Sequence, residues 1–169
     1  MANYLKPVAA VLVPNIGGFL SGYFTRSEVR PTTTGQLTWY QALKKPSFQP
    51  PNWIFAPVWT TLYSTMGYAS YMIFRDGGGF GGKAALPLAV YGAHLALNFA
   101  WSPLFFKAHN LGLAFAGIVA LWGSVVATIV SFHGVNVNAA YIMLPYLGWV
   151  SFASFLNFTL WRMNKDRTD

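Results

Sequence analysis

Charged side chains are widely spaced along this chain, and the apolar runs between them are long enough to be membrane spans. Nineteen residues without Lys, Arg, Asp or Glu separate Lys6 from Arg26, 29 separate Lys45 from Arg75, and 23 separate Lys83 from Lys107. Another 54 lie between Lys107 and Arg162. A helix needs about 20 apolar residues to cross the hydrocarbon core, so the first three runs predict one span each and the fourth predicts two. The fourth run divides at Ser131–Asn138, where Gly134, Asn136 and Asn138 give a turn composition. The predicted spans are Leu5–Phe24, Trp53–Phe74, Ala84–Phe106, Leu111–Phe132 and Ala139–Trp161. None alternates with the period of two of a lipid-facing barrel strand, and a helix pairs its own backbone groups in lipid. The expected fold class is therefore all-α: one domain over residues 1–169, an integral membrane bundle of five transmembrane helices. Pro14, Pro57, Pro87, Pro103 and Pro145 fall in or near these spans, where kinks are expected.

Composition supports lipid as the solvent. Apolar residues make up 54% of the chain and charged ones 9%, against about 25% charged in soluble domains. The net charge of +7 raises the question of nucleic acid, but the basic residues are scattered between spans rather than gathered on one face. The first segment lacks a small-x-small site and ends in Tyr23 and Phe24, so it reads as a retained span rather than a leader. With five spans, one side carries Arg26, Arg30, Lys44, Lys45, Lys107, Arg162, Lys165 and Arg167, and the other Lys6, Arg75 and Lys83. This asymmetry puts the first loop and the C-terminus on the cytosolic side.

Catalytic chemistry is scarce. There is no cysteine, which removes thiolate metal sites and a Cys nucleophile. Glu28, Asp76, Asp166 and Asp169 all lie outside the spans, leaving no paired carboxylates, acidic proton relay or Mg²⁺ cage within them. His94, His109 and His133 have no ligand-like spacing, and His94 reads as a neutral side chain bonded to another helix. Gly77–Gly82 lacks a P-loop lysine and reads as a turn. No cofactor is expected.

The spans instead carry aromatics and amides: Trp53, Trp59 and Tyr63 on the second, Asn98 and Trp101 on the third, and Tyr146, Trp149 and Asn157 on the fifth. Amides avoid lipid, so Asn98 and Asn157 are expected to face inward. They either join helix to helix or line an apolar cavity suited to a flat or sterol-like ligand. The first loop, residues 26–52, holds Pro31–Gln36 and an aromatic stretch. It reads equally as a cavity lid or an interfacial anchor. Gly18-x-x-x-Gly22 and the ladder Ala85, Ala89 and Ala93 offer close-packing surfaces for a homodimer or for contacts within the chain.

Four runs together carry a resemblance: Trp39-Tyr40-x-x-Leu43-x-Lys45-Pro46-x-x-x-Pro50-Pro51-x-Trp53; Pro57-Val58-Trp59-x-x-Leu62-Tyr63-x-x-Met66-Gly67; Leu97-Asn98-x-x-Trp101-x-Pro103-x-Phe105-Phe106; and Pro145-Tyr146-x-x-Trp149-x-x-Phe152-Ala153-x-x-Leu156-Asn157. This pattern, over nearly the whole chain, resembles the translocator protein family, also called the peripheral benzodiazepine receptor or tryptophan-rich sensory protein. The third and fourth spans look closer to animal members than to bacterial ones.

The resemblance implies a five-helix bundle with a cavity opening toward the first loop. It also implies ligands such as cholesterol or another sterol, protoporphyrin IX or heme, and benzodiazepine- or isoquinoline-type drugs. Animal members sit in the mitochondrial outer membrane with a cytosolic C-terminus; a prokaryotic source would imply a bacterial membrane. Carried over by motif, Tyr40, Trp59, Asn98, Trp149, Ala153 and Leu156 line the cavity. With Trp53, Tyr63 and Trp101 they form the candidate ligand-binding set.

Three positions depart from the family pattern. Leu113 stands where animal members often carry an aromatic. The sterol motif reads Leu156-x-Phe158-x-x-x-Arg162, with Phe158 in place of a tyrosine. The first loop is extended around residues 31–36. The implied function is a membrane receptor or translocator for these ligands. Light- and oxygen-dependent porphyrin breakdown at Trp59 and Trp149, regulation of tetrapyrrole levels, or a partner-recruiting scaffold are the alternatives.

Overall fold

A computed structural model describes residues 4–30 and 35–166. Pro31–Thr34 of the extended loop, and Arg167 and Asp169 of the tail, lie outside the described residues. All regular structure among the described residues is helical. In chain order the helices are α1 (Leu5–Val29), α2 (Trp39–Ala42), α3 (Asn52–Asp76), α4 (Ala85–Phe106), α5 (Leu111–His133), α6 (Val137–Ile142) and α7 (Leu144–Met163).

The chemistry of the connections explains where the helices stop. After α3, Gly78 and Gly79 adopt φ of 81° and 75°, a region glycine enters freely, and the chain turns through a short 3-10 segment into α4. Asn110 and Asn136 cap α5 and α6 by accepting from the backbone N–H of Leu113 and Ala139, both at 2.9 Å. The predicted turn within 131–138 is thus present, ending α5 at His133 and starting α6 at Val137. Asn136 also donates to Asp76, which pairs with Arg75, so the end of α3 is tied to the start of α6. The Arg75 guanidinium beside it holds the Asp76 carboxyl below the usual carboxylate range.

Two predicted elements differ. Helix α1 runs past the expected span end at Phe24 to Val29, and the span expected over 139–161, with a kink at Pro145, is divided at Met143 into α6 and α7. Pro145 explains the position of the break: it occupies the first turn of α7, where its missing N–H costs no hydrogen bond.

Three stretches are long and apolar enough to cross a membrane: Leu5–Val29, Leu111–His133 and Val137–Met163. The third counts α6 and α7 as one rod. The helices α3 and α4 have 25 and 22 residues but fall short in hydropathy. The first carries Thr60, Thr61, Tyr63, Ser64 and Thr65, the second Tyr91, His94, Asn98 and Ser102. Much of this polarity is turned inward: Tyr63, Tyr91, His94 and Asn98 are buried, while large apolar side chains such as Phe19, Leu86, Val130 and Phe155 are exposed. That inversion suits lipid rather than water outside.

The main helix pairings are α4 with α5, α1 with α3, and α5 with α7. Close approach in the second depends on Gly67, where an added Cβ would lie 2.4 Å from the Ala10 carbonyl oxygen and 2.7 Å from the Val11 Cα. The Gly18-x-x-x-Gly22 pair divides its work within the chain. Gly18 lies under the Tyr63 ring, 2.1 Å from where a Cβ would sit, whereas Gly22 meets nothing within 4 Å. Ala85, Ala89 and Ala93 all lie on the exposed face of α4.

Candidate functional site: an aromatic cavity with a polar floor

Between α1, α3, α4, α5 and α7 lies a cavity of about 1090 Å³. Its wall includes every residue of the candidate ligand-binding set: Tyr40 from α2, Trp53, Trp59 and Tyr63 from α3, Asn98 and Trp101 from α4, and Trp149, Ala153 and Leu156 from α7. Their positions differ in character. Trp53 sits at the lip and is 72% exposed. Trp59 lies 5.4 Å from the Tyr63 ring, centroid to centroid, and Trp149 lies 5.7 Å from Phe55. Trp101 is fixed as wall, stacked on Phe105 and donating through Nε1 to the Ala114 carbonyl of α5 at 3.1 Å.

The floor is a chain of hydrogen bonds across three helices. Tyr63 donates its hydroxyl to Asn98 Oδ1 at 2.6 Å, and Asn98 Nδ2 donates to the Tyr146 hydroxyl at 2.8 Å. His94 Nε2 lies 2.8 Å from that same hydroxyl. Tyr146 and His94 have no exposed surface. Both readings of the amides therefore meet at Asn98, which bonds α3 and α7 to α4 and also fronts the cavity. His94 is bonded to another helix as expected.

The fifth-helix amide behaves differently. Asn157 is only 3% exposed and lines the cavity, yet among the described residues its Oδ1 has no hydrogen-bond partner; the same holds for Trp149 Nε1. A buried polar atom without a partner costs free energy, so α7 offers one donor and one acceptor to whatever enters, and Gln49 Oε1 of the first loop offers a second buried acceptor.

Loop 1 contributes Tyr40 and Gln49 to the wall. Gln49 Nε2 donates to the Tyr40 hydroxyl at 3.1 Å. Burial pushes the Tyr40 hydroxyl pKa up, and the Gln49 amide offsets this in part. The loop is pinned on both sides. Thr38 closes a capping box with Gln41, and its hydroxyl donates to the Glu28 carbonyl at the end of α1. Asn164, past α7, takes the Lys44 N–H at 3.0 Å and returns a bond to the Lys44 carbonyl at 2.9 Å. Thr38→Ala removes a cap worth about 1 kcal/mol, and faster amide exchange in residues 35–51 is the expected result, read by hydrogen–deuterium exchange.

The sterol motif does not form one surface. Leu156 is buried toward the cavity, while Phe158 is exposed beside Phe115 and Trp161, and Arg162 is exposed at the helix end. Residues two apart on a helix point in roughly opposite directions, which accounts for the split.

Comparison with known proteins decides the family. The family model described as TspO/MBR matches residues 10–162. The chain belongs to the TspO/MBR family. The chain is 46% identical to a protein named Translocator protein from Sus scrofa, over 97% of this chain and 93% of the relative. It is 42% identical to the Translocator protein of Homo sapiens, over 95% and 91%. A protein named Tryptophan-rich protein TspO from Archaeoglobus fulgidus is 39% identical over 96% and 99%. TspO/MBR membership and the three apolar stretches together make this a multi-pass membrane protein.

The structure adds wall residues outside the sequence-derived set: Asn15, Arg26 and Arg30 from the α1 side, Gln49 and Asn52 from the first loop and its junction with α3, and Asn157 from α7. Asn157 had a signal, as an amide within a span. The arginines had only their charge, which reads equally as membrane-flanking.

Proposed function

We propose that this protein is a membrane receptor or translocator whose cavity binds a flat or elongated apolar ligand of the sterol or tetrapyrrole class, and that all five long helices cross the bilayer. One observation carries the reading: a cavity of about 1090 Å³ walled by Trp59, Tyr63 and Trp149, whose unpartnered donor Trp149 Nε1 and acceptor Asn157 Oδ1 both lie on it. Pockets for small ligands are largely apolar with a few placed polar groups, and burial there is worth about 25 cal/mol per Å² before ordering costs. Protoporphyrin IX or heme, cholesterol, and benzodiazepine- or isoquinoline-type compounds are the ligand classes we assign. Loop 1 is the lid.

Arg26, Arg30, Lys44, Lys45, Lys107, Arg162 and Lys165 gather on one side of this arrangement, which supports a cytosolic first loop and C-terminus. A mitochondrial outer membrane is the location we assign in a eukaryote. The exposed ladder Ala85, Ala89 and Ala93 supports a homodimer through α4.

Titrating the purified protein in phosphatidylcholine nanodiscs with protoporphyrin IX, followed by tryptophan quenching, tests the site. Saturable quenching is expected. Trp59→Phe together with Trp149→Phe removes apolar area worth about tenfold in affinity; unchanged affinity in that variant rejects the site.

A further inference from the structure

The charge at the cavity mouth says more about the ligand than its apolar wall does. Arg26 and Arg30 both line the cavity where α1 ends. They lie one turn apart, and the Arg30 N–H donates to the Arg26 carbonyl at 3.1 Å. Two like charges so placed repel. Among the described residues neither guanidinium is paired with a carboxylate: Asp76 is taken by Arg75, and Glu28 lies nearest His109, at 3.9 Å. Arg26 also rests over the Tyr23 ring, 4.0 Å from its centroid, so one guanidinium is held at the rim by an aromatic that itself lines the cavity.

Deeper in, the wall carries its own polar requirement in Trp149 Nε1 and Asn157 Oδ1, buried and without partners. Along α1 the lined stretch runs from Asn15 to Val29, roughly 21 Å at the helical rise of 1.5 Å per residue. Among the described residues the site is thus a long apolar slot with two guanidinium groups at one end that no carboxylate neutralises, and amide and indole groups inside.

Resting on the ligand cavity assigned above, we propose that Arg26 and Arg30 form a carboxylate clamp, so that the cavity selects an apolar molecule bearing carboxylates at one end over a neutral one of the same shape. The guanidinium fork matches carboxylate geometry through paired, charge-assisted N–H···O bonds. A ligand carboxylate would also relieve the repulsion between the two arginines. Two sources carry this chemistry, a dicarboxylic tetrapyrrole and a fatty acid. The tetrapyrrole also brings ring N–H groups that Asn157 Oδ1 would accept. A neutral sterol leaves the clamp unused.

The test compares protoporphyrin IX with its dimethyl ester, which keeps the ring and removes the charge. Both are titrated into full-length protein in nanodiscs of phosphatidylcholine alone. The diacid is expected to bind about tenfold more tightly than the ester, with the difference shrinking at high salt. Arg26→Gln with Arg30→Gln is expected to bring the two affinities together by weakening the diacid, with an unshifted thermal melt in detergent reporting that the variant is folded; a preference kept in that variant overturns the clamp. Lys44→Gln with Lys107→Gln removes the same charge from the same side, away from the cavity wall, and is expected to keep the preference. Oleate added as a competitor separates the sources: displacement of the diacid extends the clamp to fatty acids, and its absence restricts it to the dicarboxylate ring. Equal binding of diacid and ester by the unaltered protein overturns the clamp alone, as does loss of preference in the lysine variant, which would assign the effect to general surface charge. Failure of both porphyrins to bind overturns the cavity reading itself.

Discussion

Gly67→Val is expected to detach α1 from α3 and lower stability by about 3 kcal/mol or more, at the upper end of overpacking costs. A Cβ at Gly67 meets backbone atoms of Ala10 and Val11 rather than the tip of a flexible side chain, so relief requires moving a helix. Because α1 carries Asn15, Gly18, Gly22 and Arg26 into the cavity wall, the same shift opens the cavity. Thermal unfolding in detergent and porphyrin titration should both register the loss. A variant that melts with the unaltered protein would show that α1 is not seated on α3 as described.

Gly22→Phe is expected to do the reverse: little or no loss of stability, and at least a hundredfold loss of ligand affinity. An added Cβ at Gly22 meets nothing within 4 Å, and the residue lines the cavity. The new ring would occupy ligand space without striking the protein. Removing a glycine from a helix even favours folding, by about 0.5–1 kcal/mol. Normal melting with undiminished porphyrin binding would mean that the ligand lies elsewhere. The two glycines thus separate damage to the scaffold from damage to the site.

The limits of the long helices were largely legible in the sequence because charged residues punctuate the apolar runs. The predicted ends at Trp53, Phe106 and Leu111 fall within a residue of the helices α3, α4 and α5. The break at Met143 was not legible, since Pro145 fits either a kinked helix or a fresh helix start, and only packing chooses between them. The candidate set also came together on one wall, because aromatics and amides within spans have few other places to go. Tyr146 was visible as a span aromatic, but its role as the hydrogen-bond centre joining His94 and Asn98 depends on helix rotation, which a sequence pattern leaves open. The same gap hid Gly18, whose spacing to Gly22 suggests association between copies while its contact is with Tyr63. Arg26 and Arg30 were legible only as charge, and their place at the cavity rim depends on how far α1 continues past the expected span end at Phe24.

The Asn164 amide grips both faces of the Lys44 peptide, joining the first loop to the end of the last helix across 120 residues of chain. The first loop and the tail of the protein are therefore mechanically joined. On the proposal that this loop is the lid, pulling on the C-terminal end, by a partner or by a bilayer of different thickness, would tug at the doorway, and the rate at which guests come and go would follow the tilt of α7.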